Sequence, residues 1–259
     1  MKKVLTMAGS DCSGGAGIQA DIKTITVHNM YAMSVITALT AQNTLGVQGV
    51  LNATPEFVGQ QIDSIFNDIV PDSVKIGMVS NKEIIKTIAV KLKYYGAKNI
   101  VLDPVMVSTS GSKLLDPDAM DMLINVLMPL ADIITPNILE GECLCGFSIE
   151  SKGDMIKAVQ KISTFYTGAI LLKGGHLKEC SDDLLYAGGE IYWFKGERIN
   201  NPNTHGTGCT LSSAIACNLA QGHGINLSIG NAKGYINGVL EANLDLGAGR
   251  GPLNHCWNL

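Results

Sequence analysis

What this chain has little of is charge. Asp, Glu, Lys and Arg together make up 16% of its residues, where an ordinary soluble domain carries about 25%. Apolar residues reach 46%, a balance that points to extensive buried surface or a subunit interface, and so to a homo-oligomer. The net charge is −4 and no basic tract occurs, which excludes the electrostatic footprint of a nucleic-acid binder or of a protein held on anionic lipid. A small-molecule partner fits better. Long uninterrupted apolar runs are missing too. Between Thr24 and Pro55 there is no Asp, Glu, Lys or Arg, yet Gln42, Asn43, several threonines and glycines break the stretch. It is therefore no membrane span of about 20 apolar residues, and it reads as buried chain. A second uncharged stretch runs from Ile199 to Ala232, and the two together are candidates to line an interior cleft.

Other absences narrow the class further. The apolar run from Val4 to Gly9 is cut off by Asp11 and is too short for the core of a signal peptide, so no export is expected. The seven cysteines are odd in number and lack zinc-ribbon spacing, which makes reduced thiols in a cytoplasm the simplest account. Cys143-x-Cys145 is the one close pair, open to metal binding or to ordinary packing. With no linker, low-complexity tract or internal repeat, residues 1–259 read as one domain. The glycine-rich stretch Gly9-Ser10-Asp11-Cys12-Ser13-Gly14-Gly15-Ala16-Gly17 lacks the Gly-Lys-Ser/Thr ending of a P-loop, and its glycines fit the dinucleotide spacing poorly. It reads as a flexible or tightly turned wall of a substrate pocket.

What is there is an alternation. Short apolar runs at Val4 to Ala8, Val74 to Val79, Ile100 to Leu102, Ile133 to Thr135 and Ala169 to Leu172 read as buried parallel strands. Helical patterns lie between them. Thr54-Pro55 opens one with Val58, Ile62, Ile65 and Phe66 on a single face, and Asn81 caps a second. Asp116-Pro117 starts a third, and Ile156, Val159 and Ile162 mark a fourth. Strand and helix in alternation imply an α/β fold with a mostly parallel sheet covered on both faces. Leu184 to Ala187, Gly188-Gly189 and Ile191 to Phe194 read as a hairpin that adds a small antiparallel edge.

In such sheets ligands sit beyond the carboxyl ends of the strands. Ser10-Asp11, Asp103-Pro104, Asn137 with Glu140, and Lys173-Gly174-Gly175 all follow apolar runs directly. A Lys leaving a buried strand is costly unless it meets an anion, and two carboxylates nearby suit ion pairing or a Mg²⁺ shared with phosphates. The plainer alternatives are Asp103 as a turn or helix cap and Lys173 as a structural ion-pair partner. The loop Val105 to Ser112 is a candidate lid or an unremarkable surface loop. The run Asn203-Thr204-His205-Gly206-Thr207-Gly208-Cys209-Thr210 precedes Leu211, Ala214, Ile215 and Leu219 at helical spacing. Free N–H groups from Gly206 to Cys209 and the positive end of the helix dipole suit a phosphate, although Gly-x-Gly before a helix also serves as a plain tight turn.

Seven motifs taken together carry a resemblance. GSDCSGGAGIQADIKT near the start, LTAQNT at 39–44, KIGM at 75–78, LDPVM at 102–106, ITPN at 134–137, LLKGGH at 171–176 and NTHGTGCTLSSAIA at 203–216 closely resemble the bacterial hydroxymethylpyrimidine/phosphomethylpyrimidine kinases of thiamine biosynthesis. The resemblance spans nearly the whole chain. It implies a ribokinase-like three-layer sandwich, a homodimer, and ATP-dependent phosphorylation of 4-amino-5-hydroxymethyl-2-methylpyrimidine to its monophosphate and then to the pyrophosphate. Carried over by position, it implies Gln42 hydrogen-bonded to the aminopyrimidine, Asp21 near the same pocket, and Met78 and Val105 against the ring. An amide suits that task, since it offers a donor beside an acceptor; a satisfied core amide is the plainer reading of Gln42.

On the nucleotide side the resemblance implies Lys173, Asn137, Thr207 and the backbone of Gly206, Thr207, Gly208 and Cys209 at the ATP phosphates. It also implies Asp103 and Glu140 around Mg²⁺. Cys209 stands where most ribokinase-like enzymes carry an Asp, and is implied as the base that takes the hydroxymethyl proton. A helix N-terminus is expected to lower its thiol pKa. Pyridoxal kinase is the nearest rival, because some B6 kinases share the Gly-Thr-Gly-Cys motif; Ser108 argues against it, standing where dual-specificity relatives carry a cysteine. A catalytically silent nucleotide-binding regulator is the rival of another class, and the presence of Cys209, Asp103, Glu140, Lys173 and Gln42 speaks for retained activity.

Overall fold

The computed structural model describes residues 1–79, 81–106, 118–175, 181–196, 199 and 201–259. The helix start expected at Asp116-Pro117, the candidate lid beyond Met106 with Ser108, and His176 of the LLKGGH motif lie outside the described residues. The strands are β1 (Lys3–Asp11), β2 (Tyr31–Asn43), β3 (Gly46–Asn52), β4 (Ser73–Ile76), β5 (Ile100–Leu102), β6 (Ile133–Ile134), β7 (Ala169–Leu172), β8 (Asp183–Ala187) and β9 (Glu190–Phe194). They form one sheet in the order β3-β2-β1-β4-β5-β6-β7-β8-β9. From β2 through β7 the neighbours run parallel, and β8 and β9 add the expected antiparallel hairpin at one edge.

Helices cover both faces, giving the three-layer architecture. One face carries α2 (Pro55–Phe66), α3 (Lys82–Tyr95), α4 (Ala119–Met122), α5 (Ile138–Cys145) and α6 (Lys152–Ile162), and one core cluster joins Val58, Ile62, Ile84, Ile88, Leu144 and Met155 to the sheet. The other carries α1 (Gly17–Val27), α7 (Thr207–Ala220) and α8 (Ile225–Glu241), whose Ile25, Ile215 and Ile229 pack on Val4, Val101, Ile133 and Leu171. Local chemistry sets the ends. The Thr54 side chain accepts from the Phe57 N–H with Pro55 in the first turn, Asn81 accepts from the Ile84 N–H, and Gly96 closes α3 at φ 60°. No helix among the described residues is long and apolar enough to cross a membrane.

One expectation needs correction. The uncharged stretch from Thr24 to Pro55 is not buried throughout: it builds β2 and β3, a second antiparallel edge. Leu39 and Leu51 pair across that edge, 49% and 68% exposed. Absence of charge does not separate a buried strand from one whose apolar face is left uncovered within a single chain. The Cys143-x-Cys145 pair likewise diverges, with Cys143 exposed and Cys145 in the apolar core, and no cluster of three His, Cys, Asp or Glu among the described residues is arranged to hold a metal ion.

Candidate active site

The carboxyl ends of the parallel strands converge on one cleft of about 420 Å³, a size that suits a small-molecule ligand. β1 delivers Gly9, Ser10 and Asp11; β2 delivers Thr40 and Gln42; the chain after β4 brings Met78, and that after β5 brings Asp103 and Val105. Asn137 and Glu140 follow β6, Lys173 follows β7, and the turn Thr204 to Cys209 closes the remaining side. Residues from both uncharged stretches thus line it.

At one end Lys173 Nζ donates to Asp103 Oδ1 at 2.9 Å, and Thr135 Oγ1 donates to the same oxygen at 2.9 Å. Burial disfavours the ammonium, but the charges of Asp103 and Glu140 more than offset it and hold the Lys173 pKa above its ordinary value. Asn137 and Glu140 form a capping box at the start of α5. The Asn137 N–H donates to Glu140 Oε2 at 2.8 Å, and the Glu140 N–H donates to Asn137 Oδ1 at 2.9 Å. Burial, opposed by Lys173 and reinforced by Asp103, raises the Glu140 carboxyl to about 7.

Gly206 opens α7 in the left-handed region at φ 89°. The Thr207 N–H is spent on the Thr204 carbonyl at 3.3 Å, so it is not among the free donors expected there, and the helix start comes close to the Lys173–Asp103 pair at Gly208, which has no side chain to intervene. A Cβ on Gly208 would lie 3.2 Å from Asp103 Oδ2 and 3.5 Å from Lys173 Nζ. A Cβ on Gly206 would run into the Gly15 carbonyl oxygen, and one on Gly15 into the His205 ring, so the two glycine-rich segments interlock.

Cys209 is partly exposed, and here the sequence expectation is overturned. Burial pushes the thiol up to about 11, against the lowering by the Lys75 charge; Asp21 and Asp103 add to the rise. A helix N-terminus contributes only about 0.3–1 kcal/mol, whereas desolvation of a thiolate costs up to several pKa units. Asp21 lies near the pocket, as expected, but behind its wall. It is fully buried and does not line the cleft; it takes Thr6 Oγ1 at 2.5 Å, Lys75 Nζ at 2.9 Å on both oxygens, and Ser213 Oγ at 2.8 Å.

Three residues shape the site although the sequence gives them no role in it: Lys75 behind the cleft, and Asp11 and His205 in its wall, with Asp11 marked only as a strand-end group. Lys75 is fully buried; Asp21, with Cys209 and Asp103, outweighs burial and holds its pKa above the ordinary value. Its signal was a lysine inside the apolar run Val74-Lys75-Ile76. Asp11 and His205 are the others. The Asp11 carboxylate gathers the glycine-rich segment around itself, accepting from Ser13 N–H at 2.9 Å, Gly15 N–H at 3.1 Å, Ala16 N–H at 2.9 Å and His205 Nε2 at 2.8 Å. Burial works against the charge, yet these bonds hold its pKa far below the carboxylate range. The segment is thus a tightly turned wall.

The phosphomethylpyrimidine kinase family model matches residues 11–254. The chain belongs to that family. As a member it is an ATP-dependent kinase with a ribokinase-like fold. It is 46% identical over 255 residues to the hydroxymethylpyrimidine/phosphomethylpyrimidine kinase of Rhizobium meliloti, covering 97% of this chain and 96% of that one. It is 47% identical to the thiamine biosynthesis bifunctional protein ThiED of Geobacter sulfurreducens, where 97% of this chain spans about half, 52%, of the relative. Among solved structures, the phosphomethylpyrimidine kinase of Clostridium difficile superposes with a TM-score of 0.83 at 46% identity, covering 92% of this chain and 98% of that one. The pyridoxal kinase of Bacillus subtilis in its ADP complex superposes at 0.91 with 36% identity, covering 98% and 97%.

Proposed function

We propose that residues 1–259 act as one kinase domain that phosphorylates 4-amino-5-hydroxymethyl-2-methylpyrimidine and then its monophosphate, using ATP, in thiamine biosynthesis. The observation that carries this reading is that Gln42, Cys209 and the α7 N-terminus above Lys173 line a single cleft. The roles follow from chemistry. Gln42 offers an amide edge to the aminopyrimidine, Met78 and Val105 pack against its ring, and Asp21 acts from behind by holding Lys75 under Cys209. The Gly206, Thr207, Gly208 and Cys209 backbone and Lys173 neutralise the transferring phosphoryl group, with Asn137 at its flank. Phosphoryl transfer needs mainly such positioning and charge neutralisation.

Mg²⁺ fits the donor set. Asp103 and Glu140 supply hard oxygen ligands, and few protein ligands suit an ion that is carried largely by phosphates and water; when bound it would neutralise nucleotide charge there. The first transfer must remove a hydroxyl proton, which Cys209 accepts as thiolate. In the second the acceptor oxygen is already ionised, so no base is needed. A homodimer is supported by the exposed Leu39, Leu45, Val50 and Leu51 on the β2–β3 edge. A cytoplasmic setting is supported by the free cysteines among the described residues.

A second reading, pyridoxal kinase, is favoured by the likeness to the Bacillus subtilis enzyme. The deciding experiment offers the hydroxymethylpyrimidine and pyridoxal side by side and follows monophosphate and pyrophosphate separately. Preference for the pyrimidine with both products is expected. Preference for pyridoxal would overturn the first reading, and tight pyrimidine binding without ADP formation would replace both by a silent regulator.

A further inference from the structure

Gln42 lies between two polar neighbours. Its Nε2 stands 3.3 Å from His205 Nε2, and its Oε1 stands 3.1 Å from Thr40 Oγ1. Which amide end faces which neighbour is a matter of hydrogen-bond logic, because oxygen and nitrogen have nearly the same shape. His205 Nε2 also lies 2.8 Å from Asp11 Oδ2, with the ring 6% exposed. A carboxylate only accepts, so Nε2 must carry the proton and give it to Asp11. A ring N–H has no lone pair for a Gln42 amine, and two donors facing each other at that distance repel. On the other side Thr40 Oγ1 is 3.0 Å from the Ser10 carbonyl, which takes the hydroxyl proton and leaves a lone pair free. A half-turn of the amide about its Cγ–Cδ bond removes the clash: Oε1 takes the longer arm, 3.3 Å, of a bifurcated Nε2–H bond whose 2.8 Å arm goes to Asp11, and Nε2 donates to Thr40.

We infer that His205, locked to Asp11, fixes the orientation of the Gln42 amide and thereby sets the order of donor and acceptor that the pocket presents to a heterocycle. His205 is a positioning residue: it acts on the ring through Gln42. The inference rests on the reading of this cleft as a pyrimidine site. One N–H and one oxygen lone pair of Gln42 stay uncommitted, in a fixed order. A ring nitrogen beside an exocyclic amine offers the complementary acceptor and donor.

The test compares His205→Leu, which removes the donor, with His205→Gln, whose amide keeps an N–H near the Nε2 position. His205→Leu is expected to raise the KM for the aminopyrimidine about tenfold, the worth of one hydrogen bond, with the KM for ATP unchanged. His205→Gln is expected to restore most of it. In a Gln42→Ala background His205→Leu should add nothing further. An equal loss in that background, or a parallel rise in the ATP KM, would overturn the proposal. Nitrogen-15 NMR of His205 reads the tautomer without any turnover: protonation at Nε2 is expected, and a bare Nε2 would overturn the proposal whatever the kinetics. Absence of pyrimidine turnover in the unsubstituted enzyme would instead sink the proposed function, leaving the tautomer to decide the pairing.

Discussion

If Cys209 is the base of the first transfer, the two transfers must depend on pH differently. The thiol is pushed by burial from its usual 9.0 to about 11, so at pH 8 only about one molecule in a thousand holds a thiolate, where an unperturbed group would give about one in ten. The sign follows: a raised pKa favours the neutral thiol, and thiolate is gained only as pH rises. Between pH 7 and 9 the first transfer should therefore accelerate about a hundredfold, tenfold per unit. The second uses a phosphate oxygen whose second ionisation is nearly complete above about pH 7, and its rate should stay nearly flat. Single-turnover quench experiments from pH 6.5 to 9.5, separating monophosphate from pyrophosphate, read both. Cys209→Ala should slow the first transfer by about 10²–10⁴-fold, remove its slope and spare the second. A flat first transfer, a slope shared by both, or a slope that survives in Cys209→Ala would refute the reasoning.

Lys173→Ala removes the cation held 2.9 Å from Asp103 above which the phosphates are expected, and both transfers should fall about 10²–10³-fold; an unimpaired variant takes Lys173 out of the nucleotide site. Glu140 has a folded pKa near 7 against an ordinary 4.5, so the native state binds more protons between those values and stability falls as pH rises through that window. Denaturant titrations of ligand-free protein should lose about 3 kcal/mol from pH 4.5 to 7 relative to Glu140→Gln, and parallel curves for the two proteins would contradict the raised pKa. Lys75→Met leaves the buried Asp21 carboxylate uncompensated and should cost about 3–5 kcal/mol in urea unfolding. Where the variant still folds, alkylation of Cys209 should shift to still higher pH, since the Lys75 charge no longer opposes the rise; an unmoved profile would separate the two residues.

Chemistry local in the chain was legible in the sequence. The caps at Thr54 and Asn81, the hairpin at Gly188-Gly189, the strand-end positions of Asp103, Asn137, Glu140 and Lys173, and the turn at Gly206 all follow from neighbours within a few residues. The β2–β3 edge was not legible, because an uncharged stretch has no period that tells a covered face from an open one. Nor was the pairing of Asp21 with Lys75, or of Asp11 with His205, since each depends on which strands and turns meet. The direction of the Cys209 shift failed for the same reason: the helix terminus is visible in the sequence, while the desolvation that outweighs it is created only by packing.

The interlock of Gly15 with His205 and Gly206 also bears on when the site comes into being. Ser213 on α7 bonds to Asp21 across 192 residues, and His205 to Asp11 across 194. Contacts so distant in sequence carry a large loop-closure cost and form late. On a growing polypeptide β1 and α1 leave the ribosome long before α7, so the partners that α7 and the turn before it give to Asp21 and Asp11 are the last to be made. With α7 in place, Ser213 joins the Lys75–Asp21 pair and His205 joins Asp11. A chain cut short before Gly206 therefore lacks both the Cys209 thiol and the helix start beside Lys173, and holds only part of the cleft lining.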